Sequence, residues 1–175
     1  LGVEHEGARL SIKPYPSCRL THPAVSAALA LRAKLGADLE RVHAITVRMG
    51  SQAHDVVGRA EAFRLTPTHW LDAQFSVFWT VAVALRHGAV RPMHLLDEVP
   101  PGPELRRWIE RIDAEPIAGS AMRDVGACEI EASGSFGTVS ARAAEAKGHP
   151  DAPLSAQELA EKFCANVALA GMGAA

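Results

Sequence analysis

The sequence predicts an α+β fold in which helices pack on one face of a small, mainly antiparallel sheet. In some stretches apolar residues recur at helical spacing, and these are residues 23–35, 70–87 and 155–169. In others apolar and polar residues alternate, which is typical of half-buried strands, as at residues 43–49 and 125–145. The second alternating stretch is interrupted by a glycine-containing turn, so it predicts a hairpin of two antiparallel strands.

The composition fits one domain with a substantial core. The chain has 175 residues, of which 48% are hydrophobic and 22% are charged, and this excludes the disordered and collagen-like classes. The formal net charge of −2 leaves no basic excess for nucleic acid or for an anionic membrane. We therefore expect neither as a partner, although a local pocket can still be cationic and bind a small anion.

The cysteines and the first residues of the sequence indicate the cellular compartment in which the protein is expected. The three cysteines, Cys18, Cys128 and Cys164, lie far apart and form no C-x-x-C pair, so we expect free thiols and a reducing, cytoplasmic environment. The first residues have neither the basic start nor the apolar run of a signal peptide. Leu1 is not methionine, and we expect residues 1–175 to be one α+β domain of a longer two-domain protein, with a frayed tail at 171–175.

The first part of the chain predicts one helix and one strand. The helix, residues 23–35, has Thr21 or His22 as its N-cap and Gly36 directly after its end. The strand, residues 43–49, places three apolar side chains on one face, namely Ile45, Val47 and Met49.

The middle of the chain predicts helices joined by loops. Residues 50–67 have weak periodicity, so we expect a loop with a helical turn near residues 57–63. Residues 70–87 are apolar nearly all round and are followed by Gly88, which predicts one continuous buried helix. The further expected elements are short helices at residues 92–97 and 103–109 and a strand at residues 111–116.

The last part predicts the hairpin and a capped helix. One face of the first hairpin strand carries Cys128, Ile130 and Ala132. The turn is expected at residues 133–137 and the second strand at residues 138–145. Ser155 with Glu158 three positions later forms a capping box, which predicts that the last helix begins there.

Residues 13–23 form the stretch that most resembles a binding site. Pro14 and Pro16 restrict the backbone, so the beginning of the stretch is predicted to be extended and rigid. Polar side chains then follow at the N-terminus of the first helix, where free backbone N–H groups favour an anion. The side chains that carry chemistry here are Lys13, Tyr15, Cys18, Arg19 and His22. A carboxylate ligand fits this set.

The same residues also have a purely structural interpretation. In it Lys13 is a surface side chain, Tyr15 is half buried and His22 caps the helix. Cys18 and His22 could form a thiol nucleophile with its base, or Cys18 could be a small half-buried thiol. In the central helix, Trp79 is predicted to belong to the core rather than to stack on a ligand. The eight histidines show no H-x-x-x-H spacing and no Cys/His cluster at metal spacing, so no metal site is expected.

Three segments together resemble the MmgE/PrpD family. They are residues 13–24 (KPYPSCRLTHPA), residues 73–88 (AQFSVFWTVAVALRHG), and residues 146–155 (AKGHPDAPLS) with 161–163 (EKF). The family includes 2-methylcitrate dehydratase, cis-aconitate decarboxylase and iminodisuccinate epimerase. Its members are longer than this chain and combine a large all-helical domain with a smaller α+β lid. The resemblance covers the lid, which agrees with the predicted fold.

The resemblance implies cofactor-independent chemistry on a di- or tricarboxylate. In such enzymes a proton or a carboxyl group is removed next to a carboxylate, in an active site between the two domains. Lys13 matches the family lysine that faces the substrate, and its implied catalytic role is that of acid, base or carboxylate clamp. The expected partners are the helical domain, in the same protein or on a partner chain, and further copies in a homo-oligomer. The expected substrate-binding residues are Tyr15, Cys18, Arg19, His22 and Trp79.

Two departures from the family pattern bear on the reaction. Where decarboxylase members have a catalytic histidine five residues after the lysine, this chain has Cys18. Where several members have a tyrosine in the central helix, this chain has Trp79, which can donate a hydrogen bond but cannot transfer a phenolic proton. These departures favour a dehydratase or epimerase over a decarboxylase. The alternative function is a non-catalytic binding or oligomerisation module that uses the apolar helix at residues 70–87 as its contact surface.

Overall fold

The structure is a computed structural model that describes residues 2, 3, 5, 7, 10–119 and 126–171. It confirms the α+β fold class. In chain order the elements are a 3₁₀ turn (Arg19–Thr21), α1 (His22–Leu35), a second 3₁₀ turn (Gly36–Arg41), β1 (Val42–Met49), α2 (Ser51–Ala53), a π-helical turn (His54–Gly58), α3 (Ala62–Leu65), α4 (Trp70–Gln74), α5 (Val77–His87), α6 (Pro92–Asp97), α7 (Pro103–Ile109), β2 (Ile112–Pro116), β3 (Cys128–Gly134), β4 (Gly137–Ala143) and α8 (Ala156–Leu169).

The four strands form one mixed sheet in the order β2-β1-β3-β4. β1 pairs in parallel with β2, where Ile45 lies beside Ile112, and antiparallel with β3, where Ile45 lies beside Ala132. β3 and β4 form the predicted antiparallel hairpin. Most of the pairing is therefore antiparallel, as predicted, and the strand expected at residues 111–116 supplies the parallel edge.

Helices cover one face of the sheet. α1 packs against β3, β4 and α5, while α5 contacts β2 and α7. The largest fully buried side chains in this layer include Trp79, Phe78, Leu31, Ile45 and Ile130. The opposite face of the sheet is polar. There the Arg48 guanidinium bridges Glu115 on β2 (3.5 Å) and Glu131 on β3 (3.8 Å).

The prediction of one continuous helix over residues 70–87 is wrong. The chain leaves helical geometry at Ser76, whose backbone is extended, so that α4 ends at Gln74 and α5 begins at Val77. The Ser76 hydroxyl donates to the backbone oxygen of Arg64 (2.6 Å) and accepts from the backbone N–H of Trp79 (3.0 Å). Ser76 thus caps α5 and ties it to α3, and this interaction interrupts a pattern that reads as uninterrupted in the sequence.

Residues 50–67 contain more helix than predicted. α2, the π-helical turn and α3 occupy most of this stretch, and none exceeds five residues. Arg64 holds the segment together, because its guanidinium donates to the backbone oxygen of Val56 (2.8 Å) and contacts Glu61 (2.7 Å). Elements this short carry too few turns to produce a clear helical period, which is why the sequence pattern missed them.

The observed ends of the first helix and the C-terminal end of α5 lie within one residue of the predicted ends. α1 begins at His22, one residue before the predicted start, and Thr21 precedes it without capping it through its side chain. α5 ends at His87, and Gly88 directly after it adopts the left-handed conformation expected of a C-terminal glycine. Of the predicted tail at 171–175, Gly171 lies in a turn and residues 172–175 lie outside the described residues. No described helix combines the length and the apolar character that crossing a bilayer requires.

Candidate functional site

The site loop, residues 13–22, is braced internally by two hydroxyl groups. The Thr21 hydroxyl donates to the backbone oxygen of Cys18 (2.8 Å), and the Ser17 hydroxyl therefore donates to the Thr21 oxygen (2.8 Å). The Thr21 backbone N–H also donates to Cys18 (3.0 Å). Ser17 and Thr21 are buried. These hydrogen bonds brace the loop as a turn that leads into α1. The beginning of the stretch was predicted to be extended, but the backbone bends at residues 14–17.

Lys13 lies at the surface of the loop. Its ammonium donates to the backbone oxygen of Ser17 (3.2 Å). The side chain lines two clefts, one of about 390 Å³ and one of about 330 Å³. Because an ammonium group has three protons and only one of them is held by Ser17, the others remain available to a ligand.

His22 is a buried side chain of the loop and does not line either cleft. Its Nε2–H donates to the Ser17 backbone oxygen (3.3 Å), and its ring makes an edge contact with Tyr15 at a centroid distance of 5.2 Å. Burial lowers the pKa of His22 to about 4, and the charges of Arg19 and Lys13 act in the same direction. The imidazole is therefore neutral at physiological pH. Its Nδ1 is buried and has no partner among the described residues.

Tyr15 and Arg19 are each partly buried. The Tyr15 hydroxyl lies 3.3 Å from the Ser26 hydroxyl, and burial raises the pKa of the phenol, so it stays protonated. The Arg19 guanidinium lies 3.9 Å from the Glu145 carboxylate, and its Nη1 is buried without a partner among the described residues. Burial lowers the pKa of Arg19, although an arginine keeps its charge over the physiological range. Arg19 is thus a cation whose hydrogen-bonding capacity is only partly used.

Cys18 and Trp79 differ in their access to a ligand. Cys18 is half buried and lines the smaller cleft with Lys13, Gln74 and Phe75. Trp79 has no exposed surface, and its indole N–H donates to the backbone oxygen of Glu98 (3.1 Å). The prediction that Trp79 belongs to the core is confirmed. It lines neither cleft, so its expected role as a substrate-binding residue has no support in the geometry.

Two distant parts of the chain hold the site loop. On one side the Cys18 backbone N–H donates to the backbone oxygen of Gln74 (2.9 Å), and the Gln74 amide donates to the backbone oxygen of Pro16 (2.9 Å). On the other side the Ile12 backbone N–H donates to the backbone oxygen of Gly148 (2.9 Å). All three segments that carry the family resemblance therefore meet at this loop, although they are far apart in sequence.

Gly148 is required by this arrangement. Its φ is +85°, and a Cβ at this position would overlap the carbonyl oxygen of Ile12. A side chain would thus be strained by the backbone angle and would also push away the segment that leads to Lys13.

The larger cleft involves residues that the sequence patterns did not indicate. It lies between the site loop, the segment after α5 and α8, and its charged lining residues are Lys13, Arg91, Glu158, Glu161 and Lys162. Lys162 lies in the EKF segment that contributes to the family resemblance, but no sequence pattern places it beside Arg91, because their proximity depends on where α8 packs. Among the described residues, no group of three or more His, Cys, Asp or Glu side chains is arranged to hold a metal ion.

Comparison with known families identifies the domain. Residues 15–172 match the MmgE/PrpD C-terminal domain. This match covers most of the chain, so the chain belongs to the MmgE/PrpD family, as its three sequence segments predicted. Family membership implies an enzyme domain of the dehydratase or decarboxylase type. Among curated proteins, no match to the chain was found.

Proposed function

We propose that this domain forms one wall of the active site of a lyase or isomerase, of the dehydratase or epimerase type, that acts on a di- or tricarboxylate. The observation that carries the proposal is the convergence of the three family segments on the site loop, which presents Lys13 at an open cleft. The reaction would remove a proton next to a carboxylate of the substrate. The second wall would come from an all-helical domain, in the same protein or on a partner chain.

Lys13 is the proposed catalytic residue. An ammonium beside a carboxylate substrate stabilises the negative charge that develops on that carboxylate when the neighbouring carbon loses its proton. Its single bond to Ser17 positions the group without consuming all of its protons. The amine can also act as acid or base if the closed active site removes it from water.

The other side chains at the smaller cleft support binding rather than proton transfer. Gln74 holds the loop through Pro16, and Phe75 provides an apolar side to the cleft. Arg19 supplies a second cation on the same loop, but it lines neither cleft, and its Nη1, which has no partner among the described residues, is buried. Cys18 stands where decarboxylase members of the family have a histidine, and Trp79 is buried and has no phenol. These two departures from the family pattern support proton abstraction rather than decarboxylation.

The test is Lys13→Ala, assayed with the helical domain present, on 2-methylcitrate and on iminodisuccinate. We expect turnover of the accepted acid to fall at least ~100-fold, the lower range for an acid–base group. The matched control is Lys34→Ala, because Lys34 is also exposed and also donates to a backbone oxygen, that of Ser140 (2.8 Å), but lies away from the clefts. The control should retain normal turnover. Near-normal activity of Lys13→Ala would remove Lys13 from the mechanism.

A role as an assembly module is the second candidate. The buried segment of α5 cannot serve as its contact surface, because Val77–Leu85 lie inside the domain. Within residues 70–87, the exposed large apolar residues lie instead on and after α4, where Trp70, Leu71 and Phe75 are 50%, 47% and 37% exposed. This second function would be supported if neither 2-methylcitrate nor iminodisuccinate binds in calorimetry while the protein forms a stable oligomer that Trp70→Ser disrupts.

A further inference from the structure

The larger cleft has the dimensions and the lining of a small-molecule site. Its volume of about 390 Å³ falls in the range of about 300–1,000 Å³ found for ligand pockets. Most of its wall is apolar and is contributed by Pro14, Tyr15, Leu29, Val90, Pro92 and Ala165. Pockets of this kind bind ligands with an apolar body, and a few polar groups fix the orientation.

Two cations in this cleft are not neutralised by an acidic side chain in the part of the chain that the structure describes. Among the described residues, neither the Arg91 guanidinium nor the Lys162 ammonium makes a side-chain hydrogen bond to an acceptor or an ion pair. The acidic side chains of the cleft are better satisfied. Glu158 accepts from Lys147 (3.0 Å) and from the Ser155 backbone (2.8 Å), and Glu161 accepts from Gln157 (2.9 Å).

The charges of the cleft therefore favour an anion. Lys147 compensates Glu158, so Glu161 alone opposes the positive charges of Lys13, Arg91 and Lys162. A positive excess beside an apolar wall attracts a molecule with one anionic end and an apolar remainder. Arginine is well suited to a carboxylate because its guanidinium can donate two parallel hydrogen bonds.

We propose that the cleft between the site loop and α8 is a second ligand site, which takes a monocarboxylate with a short apolar tail. Arg91 and Lys162 hold the carboxylate, and the tail lies against Leu29, Val90 and Ala165. This site adjoins the smaller cleft of the proposed active site, where Cys18, Gln74 and Phe75 lie. Lys13 lines both clefts, whereas Arg91 and Lys162 line only the larger one. Its ligand is distinguished from the di- or tricarboxylate substrate by the single charge and the apolar tail.

The test is titration of the full protein, with its helical domain, by hexanoate in isothermal calorimetry. Hexanoate should bind at least about tenfold more tightly than acetate, because its four additional methylene groups are buried in the cleft. It should also bind at least about tenfold more tightly than hexanol, because hexanol lacks the negative charge. Arg91→Gln and Lys162→Gln should each weaken hexanoate binding about tenfold, since each removes a charge-assisted hydrogen bond. Ala165→Trp should abolish binding by filling the cleft. The matched control is Lys34→Gln, whose affinity for hexanoate should equal that of the unmodified protein.

Several results would overturn the proposal. Equal affinity for hexanol and hexanoate would show that charge has no part in binding. Unchanged affinity in Arg91→Gln and in Ala165→Trp, with thermal unfolding midpoints that show both variants to be folded, would place the ligand elsewhere. Binding by the isolated chain that disappears in the full protein would show that the cleft is an interface covered by protein.

Discussion

At the scale of single residues, the site depends on a glycine outside the loop that it supports. Gly148 lets the backbone of the 147–153 turn approach Ile12, and this contact fixes the segment that leads to Lys13. The same turn is tied to α8 by the ion pair of Lys147 with Glu158 (3.0 Å). Position 148 therefore links the conformation of the turn to the position of the catalytic candidate.

Gly148→Ala should destabilise the domain by more than about 2 kcal/mol, because it adds a steric overlap to an unfavourable backbone angle. Gly137→Ala is the matched control, since Gly137 also has a positive φ of +95° but has open space where a Cβ would lie. The free energy of unfolding of the control should fall by only about 1 kcal/mol. Urea unfolding measures both variants, and equal losses would show that the contact with Ile12 is unimportant.

At the scale of the elements, α8 differs from the rest of the fold. In α8, all of which is described, no residue is buried, and Phe163 is 68% exposed. The helix is held at its start by the predicted capping box, in which the Ser155 hydroxyl accepts from Glu158 N–H (3.2 Å) and the Glu158 carboxylate accepts from Ser155 N–H (2.8 Å). Those hydrogen bonds and Lys147 lower the pKa of Glu158, which stays ionised. Local capping matters more to α8 than packing does.

Ser155→Ala should therefore loosen α8 without unfolding the domain. Loss of an N-cap costs about 1 kcal/mol, which corresponds to roughly fivefold faster amide hydrogen exchange along the helix. The midpoint of global unfolding should stay nearly constant, because the core does not include α8. Ser155→Thr keeps the hydroxyl and serves as the control. A large drop in the global midpoint of Ser155→Ala would mean that α8 is part of the cooperative core.

Elements in which apolar residues recur with a clear period could be predicted from the sequence. Elements whose ends are determined by tertiary contacts could not. α1, β1 and the β3–β4 hairpin follow their patterns because each buries one regular face. The break at Ser76 was missed since it results from a hydrogen bond to Arg64, and no local pattern reports such a contact. The same limit applies to the site loop. Its two prolines predicted a backbone with restricted angles, whereas the inward orientation of His22 depends on packing.

At the scale of the whole molecule, the buried His22 links stability to pH. Its pKa is about 4 in the folded state and near the ordinary value of 6.5 in the unfolded state. Above pH 6.5 both states are neutral, and the group adds no pH dependence. As the pH falls from 6.5 towards 4, only the unfolded state binds the proton, so the free energy of unfolding decreases. The total contribution is roughly 3 kcal/mol.

The variant His22→Gln should remove this contribution, because glutamine can still donate to Ser17 but does not titrate. Urea unfolding of both proteins between pH 7 and 4 gives the free energy of unfolding as a function of pH, and the slopes of the two curves are compared. His94, whose pKa is also lowered by burial, titrates in the same direction but is present in both proteins and cancels. Parallel pH profiles for the two proteins would show that His22 is accessible to protons in the folded state.

The central strand of the sheet has no partner that is close in sequence. β1 lies between β2 and β3, and its Ile45 meets Ile112 on one side and Ala132 on the other. Strands whose partners are distant in sequence pair slowly, because a long loop has to be closed before the first hydrogen bond between them is made. The hairpin of β3 and β4 can form from neighbouring residues, whereas on a ribosome β1 would stay unpaired until β2 had been synthesised.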